Sequence, residues 1–285
     1  MLEQQRLLDG RYQVISKLGE GAWARTYLVE DALVKRPDRL VVKQFMKPTS
    51  STQAIKEFEA LLKLFNPHNP DPACSHLPLI YEVHPVDHEA NVIMEYIRGP
   101  TLKEVASEFP WSLEEWWTFA RSLLGVLELL EEHHLLHRDI KPENIILHKG
   151  DRRQPVLIDF GFATLRSVTT IGAGTLGYLP PEAAWSRQPP ESSDRYALSV
   201  VLFQILTGQE PISELATDGY TRNVRMPPSV DKNVLPLANV LLTAIATDPA
   251  LRPRSASEVR KRLEKAMKGV PKNYKPPPPE SSPIK

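Results

Sequence analysis

The 285-residue sequence contains one cysteine, Cys74. That excludes an internal disulfide framework and any metal site built on several thiolates, and it points to a reducing, cytoplasmic setting. Net charge is also missing. Lys+Arg and Asp+Glu number 35 each, so no overall field draws the chain to nucleic acid or to an anionic membrane surface. Long apolar runs are absent too: stretches such as 200-VVLF-203 fall far short of the roughly 18 residues a bilayer span requires. No transmembrane helix is expected. The opening MLEQQRLLDGR lacks the continuous apolar region of a secretory signal, so none is expected there.

What is present is an ordinary globular composition, 25% charged and 41% apolar, long enough for about two lobes or one large domain. Proline is in excess, 27 residues or roughly twice the usual 5%, gathered between Asn66 and Pro85 and again after Pro271. The segment 271-PKNYKPPPPESSPIK-285 has little apolar surface and a four-proline run that favours extended polyproline II. It reads as a tail or linker. No fixed-period repeat suggests a solenoid.

The first hundred residues alternate apolar and polar in short runs (YQVISKL, RTYLVE, LVVKQF, LPLIYEV, NVIMEYI) around one helical stretch, 53-QAIKEFEALLKLF-65. This predicts a strand-rich lobe over residues 1–97. Helical patterns dominate residues 98–268. The longest helix should open on a capping box, Ser112 with Glu115, and bury Trp116, Phe119, Leu123, Leu127 and Leu130, with Trp117 also in the core. A second box, Ser255 with Glu258, opens a last helix ending near Lys268. The fold class is therefore α+β in two lobes, with residues 269–285 outside them.

Three groups of residues carry chemistry. The turn 18-LGEGAWART-26 lies between two strand patterns, where glycines let backbone amides approach phosphate oxygens. Lys43 sits among apolar neighbours in 40-LVVKQF-45, a costly place for a charge unless a carboxylate pairs it. Glu57 is the preferred partner because Ala60, Leu61 and Leu64 share its helix face; Glu59 is the alternative. The third is 137-HRDIKPEN-144. Reading 133-HHLLH-137 as a zinc pair fails, because the glutamate of a HExxH site is missing, and His137 is expected to be a packed structural residue.

The HRDIKPEN segment resembles the catalytic loop of protein kinases, and more motifs follow in family order: Asp159-Phe160-Gly161, 174-GTLGYLPPE-182 and 193-SDRYALSVVLFQILTG-208. The flavour is that of bacterial Hanks-type serine/threonine kinases, particularly cyanobacterial ones. The resemblance implies a two-lobed kinase fold, ATP and magnesium as cofactors, and Ser/Thr hydroxyls of proteins as substrates. Asp139 would orient the acceptor hydroxyl. Lys141 would steady the transferring phosphate, Asn144 and Asp159 would hold magnesium, and Lys43 with Glu57 would position the α and β phosphates. ATP would lie against Leu18, Gly19, Glu20, Gly21, Ala22, Trp23, Ala24 and Thr26 of the turn. Val41, Met94, Glu95, Ile97 and Ile146 would surround its base.

Ser167, Thr169 and Thr170 are candidate phosphorylation sites in the activation segment, answered by Arg138. A homodimer would then serve autophosphorylation. Thr175 would help form the hydroxyl site. Asp194 would tie down the catalytic loop, and Glu182 would pair with Arg252. Ala24, Thr26 and Val41 depart from the family pattern around the nucleotide, which keeps a pseudokinase binding module as the alternative, beside a small-molecule phosphotransferase of the same fold.

Overall fold

The computed structural model describes residues 7–8, 10–21, 24–34, 39–45, 71–86, 89–160, 177–184, 192–215, 222–271 and 274–278. The chain divides into two compact units, Met1–Ile97 and Arg98–Lys285. Sequence alternation becomes an antiparallel sheet in the first. Its strands are β1 (Leu7–Leu8), β2 (Tyr12–Glu20), β3 (Ala24–Asp31), β4 (Leu40–Phe45), β5 (Ile80–Val86) and β6 (Glu89–Glu95), in the order β1-β2-β3-β4-β6-β5.

One face of this sheet packs Tyr12, Val14, Tyr27, Val29, Leu40, Val42 and Ile93 into a core, the period of two that a half-buried strand imposes. The register sets Lys43 opposite Thr26 on β3 and Val92 on β6. At the far end Arg11 donates to Asp31 and to Glu82, and the Tyr12 hydroxyl also donates to Glu82. The Arg11 guanidinium holds the Asp31 carboxyl down at about 2. This cluster fastens the ends of β2, β3 and β5 together. The helical stretch 53–65 lies outside the described residues.

In the second unit the long helix α1 (Leu113–Glu132) opens on the capping box expected of it, with Ser112 and Glu115 each bonding the other's backbone N–H. The five apolar positions read from the sequence are buried, and so are Leu124, Val126 and Leu129. Trp117 departs from expectation. It is only half-buried, whereas Trp116 is fully enclosed and donates its indole N–H to the Leu202 carbonyl at 2.9 Å. Consecutive helix residues point about 100° apart, so one tryptophan faces the core and its neighbour the rim.

Helix α2 (Ser193–Thr207) is buried on all sides except at Arg195, the signature of a central helix. It stops at Gly208, whose φ of +70° is left-handed, and a Cβ there would come within 2.9 Å of Pro110. Glycine is required twice over at that point. Helices α3 (Leu235–Ala244) and α4 (Ala256–Met267) pack on this frame, and two short ribbons, β7 (Ile145–Leu147) with β8 (Pro155–Leu157) and β9 (Ile212–Leu215) with β10 (Arg222–Arg225), complete the unit.

The second capping box is only half formed. Ser255 accepts from the Glu258 N–H, but the Glu258 carboxylate reaches past it to the Arg254 N–H. Arg260 then pins α4 to Glu128 of α1 at 2.7 Å. Burial also continues beyond Lys268, with Val270 enclosed and Tyr274 half-buried. Among the described residues no helix is long and apolar enough to cross a membrane.

Candidate functional site

The segment 137–144 is held by a carboxylate from a different element. Asp194, at the start of α2, accepts from the His137 N–H at 2.6 Å and the Arg138 N–H at 2.7 Å. Arg138 lies at φ +67°, a left-handed conformation that a bulky residue adopts only under constraint, and these two charge-assisted bonds supply it. Burial pushes the Asp194 carboxyl up to about 6 even though both amides and the nearby Arg138 and Arg195 charges pull it down.

His137 is wholly buried. Its Nδ1 accepts from the Asp139 N–H at 3.3 Å, which leaves the ring proton on Nε2, donated to the Ile158 carbonyl at 2.9 Å. The ring also meets Phe160 edge-on at 4.5 Å. The histidine thus bridges the loop to the strand end that carries Asp159. Among the described residues no group of three or more His, Cys, Asp or Glu is poised to hold a metal.

Asp139 is 7% exposed. Lys141 Nζ lies 3.0 and 2.8 Å from its two carboxylate oxygens. Asn144 Nδ2 donates at 2.8 Å both to the Asp139 backbone carbonyl and to its Oδ2. Burial raises the Asp139 carboxyl above its usual range, against the pull of Lys141 and Asn144. Because the Asn144 amide directs both hydrogens to Asp139, what it offers a cation is its oxygen. Asp159, at φ +70°, is near enough for its charge to raise Asp139 further. The Asp159 carboxylate and the Asn144 amide oxygen are hard donors of the kind a divalent ion of the magnesium type takes together with phosphate oxygens.

Two further contacts brace this unit. Arg252, 5% exposed, makes a two-bond pair with Glu182, at 2.5 and 2.9 Å. The Tyr178 hydroxyl donates to Gln204 at 3.2 Å, and burial pushes that phenol up to about 12. The Gln204 contact was not anticipated from the sequence; a glutamine within the apolar run 200-VVLFQIL-206 was its only trace. Ile146 is half-buried on β7, where it bridges to Thr101.

The first unit carries the remaining candidates. Lys43 is 8% exposed, with its ammonium 5.2 Å from the Phe45 ring. Glu57 and Glu59 lie outside the described residues, as do Ala22, Trp23, Ser167, Thr169, Thr170 and Thr175. Leu18, Gly19 and Glu20 end β2, Ala24 and Thr26 open β3, and the Gly21 N–H closes the turn on the Ala24 carbonyl at 2.9 Å. Glu20 is exposed and tied to Lys17 and Arg25. Neither Gly19 nor Gly21 has a positive φ, and a Cβ on either would meet nothing within 4 Å.

The fold does not need glycine at those two places. Val41, nearly buried, faces Leu28 and Met94 across the sheet. Glu95 donates its N–H to the Leu79 carbonyl and accepts the Leu79 N–H on its carboxylate, and Ile97 is buried two residues on.

Residues 12–263 match the family model of the protein kinase domain. The chain is 34% identical over 277 residues to serine/threonine-protein kinase D of Synechocystis, covering 90% of this chain and 52% of that protein. It is 30% identical to PrkC of Bacillus subtilis, covering 91% and 41%, and 32% identical to PknA of Nostoc, covering 91% and 48%. The chain therefore spans about half the length of these curated relatives. In fold it is similar to the PknI kinase domain of Mycobacterium tuberculosis, with a TM-score of 0.64 at 20% identity over 92% of this chain and 98% of that one. Rad53 in complex with AMP-PNP gives 0.68 at 20% identity over 92% and 68%. The motif order, the family match and these relatives together identify the chain as a member of the protein kinase family, related to the Hanks-type kinases of bacteria.

Proposed function

We propose that this chain is a serine/threonine protein kinase domain that transfers the γ-phosphoryl group of ATP to protein hydroxyls. The observation that carries the reading is the Asp139 carboxylate, buried, raised in pKa, and fixed by Lys141 and Asn144 on a loop anchored by Asp194. A carboxylate so placed can orient a Ser or Thr hydroxyl and take its proton as the oxygen bonds to the γ-phosphorus and ADP leaves.

Lys141, beside Asp139, suits the transferring phosphate. Lys43, with Glu57 as its assigned partner, serves the α and β phosphates, and the open glycines of the turn let backbone amides come close to them. Asn144 and Asp159 would hold magnesium, which when bound neutralises charge on the phosphates. Leu18, Val41, Met94, Glu95, Ile97 and Ile146 are assigned to the adenine base. Thr175 is assigned to the acceptor site. Residues 1–97 and 98–268 are the two lobes on this reading, and the chain acts in the cytoplasm. A transient homodimer would allow autophosphorylation at Ser167, Thr169 or Thr170, with Arg138 as the phosphate's partner.

The test is to incubate the chain with magnesium and ATP and to follow its intact mass, beside Lys43→Met and Asp139→Asn. Phosphate added to the wild type and to neither variant is the expected result. A folded, initially unphosphorylated wild type that binds ATP in a thermal-shift titration but phosphorylates neither itself nor a Ser/Thr acceptor protein would replace this reading with the pseudokinase.

A further inference from the structure

A cavity of about 220 Å³ lies at the base of the second unit, between the carboxyl end of α2, the loop before α3 and the proline-rich tail. It is smaller than the ~300 Å³ at which drug-sized pockets begin, yet several times the roughly 30 Å³ share of one water. Phe109, Pro110, Leu206 and Val234 supply apolar walls, and Pro277 and Pro278 of the tail close one side.

Two features give the cavity one electrical sign, and a third leaves a polar group to be satisfied. Asp231 lines it, and among the described residues no lysine or arginine does; Lys232 and Lys275, next in sequence to lining residues, are exposed. Asp231 accepts the Asn233 backbone and side-chain N–H groups, both on Oδ1. Leu206, Thr207 and Gly208 bring the end of the 15-residue helix α2 into the wall, where the helix dipole places its negative pole. The third feature is the Tyr274 hydroxyl, which is enclosed and has no hydrogen-bond partner among the described residues. A buried hydroxyl left this way is destabilising, so a ligand that engages it gains on binding.

We infer that this cavity is a binding site for a small organic cation, an ammonium or guanidinium head on a short apolar body, with the tail as its outer wall. The head sits against Asp231 and the end of α2, and the body lies among Phe109, Leu206 and Val234. Tyr274 contributes its hydroxyl. Negative charge from Asp231 adds to burial in pushing that phenol up to about 12, consistent with the two side chains sharing the cavity. The inference does not rest on phosphoryl transfer.

Benzylamine, benzyl alcohol and benzoate are matched probes in size. Titrated into the full chain at neutral pH, benzylamine should bind at least tenfold more tightly than benzyl alcohol, with benzoate weaker still. Its amide shift changes in the wild type should centre on Gly208, Gln209 and Ser229. Asp231→Asn should weaken benzylamine at least tenfold at unchanged melting temperature, and Tyr274→Phe severalfold with the melting temperature held or raised, since it removes an unsatisfied buried hydroxyl. Equal affinity for the amine and the alcohol would overturn the proposal. So would shift changes centred on residues 137–144, where other carboxylates lie, or a crystal grown with benzylamine that holds only water between Tyr274 and Asp231. The wild-type comparison decides the matter even if Asp231→Asn fails to fold.

Discussion

The loop 137–144 and the glycine turn 18–26 belong to one reaction in the proposed reading, yet they are built on opposite principles. In the loop the side chains around Asp139 are fixed by named neighbours, Asp139 by Lys141 and Asn144 and His137 by the Ile158 carbonyl, and the backbone is held by Asp194. In the turn the backbone of the described residues is paired, but their side chains are not enclosed. Gly19 and Gly21 face open space, Leu18 is 47% exposed, and Glu20 is held by exposed charges of the kind water and salt screen. A group that must stand within reach of one hydroxyl proton needs a rigid frame. A turn that closes over phosphates needs room. The same comparison separates two kinds of evidence for function, a costly arrangement maintained and a stabilising side chain forgone.

The comparison breaks first at Asp139. Asp139→Asn keeps the shape and most of the hydrogen bonding while removing the proton acceptor, so the rate of phosphate transfer should fall by about 10³-fold with the melting temperature unchanged. A steady-state assay beside calorimetry checks both halves. Next comes the Arg252 pair. Glu182→Ala leaves a buried guanidinium without its carboxylate and should cost about 3 kcal/mol in urea unfolding.

Asp194 gives a pH signature. Its carboxyl rises from the usual 3.8 to about 6 on folding, so between those values the folded state holds a proton that the unfolded state has lost. Stability from this group is therefore full below about pH 4 and falls by about 3 kcal/mol as pH rises to about 6, at 1.36 kcal/mol per unit. Asp194→Asn should remove that slope from unfolding curves taken between pH 4 and 7. The smallest effect on stability belongs to the turn. Gly21→Ala should change folding by under about 1 kcal/mol while raising KM for ATP several-fold, since only a ligand meets the new methyl group. A large loss of stability there would mean that the fold, not the ligand, demands the glycine.

How much of this was legible depends on sequence distance. Asp139, Lys141 and Asn144 interact within six residues, so a short motif carries both their identities and their contacts. The Ser112 box and the strand alternation are local in the same way. Glu182 and Arg252 stand 70 residues apart, and nothing in spacing pairs them; family resemblance did. At Ser255 the residue types were right but the Glu258 carboxylate had a second backbone N–H within reach, a choice that composition does not encode. Trp117 shows the limit of reading a pair as one feature. The tail reads as solvated because proline runs bury little, yet Tyr274 is half-buried and lines a cavity together with the end of α2 and the loop before α3.

The central claim is that the buried, doubly held Asp139 carboxylate serves transfer and not folding. Its most direct test is γ-phosphate transfer from ATP to a Ser/Thr acceptor protein by wild type and Asp139→Asn at matched concentration, with phosphoamino-acid analysis and a melting curve for each. The account predicts phosphoserine or phosphothreonine from the wild type, about 10³-fold less from the variant, and superimposable melting curves. Equal transfer by the two proteins, or a variant that loses activity only because it unfolds, would contradict it.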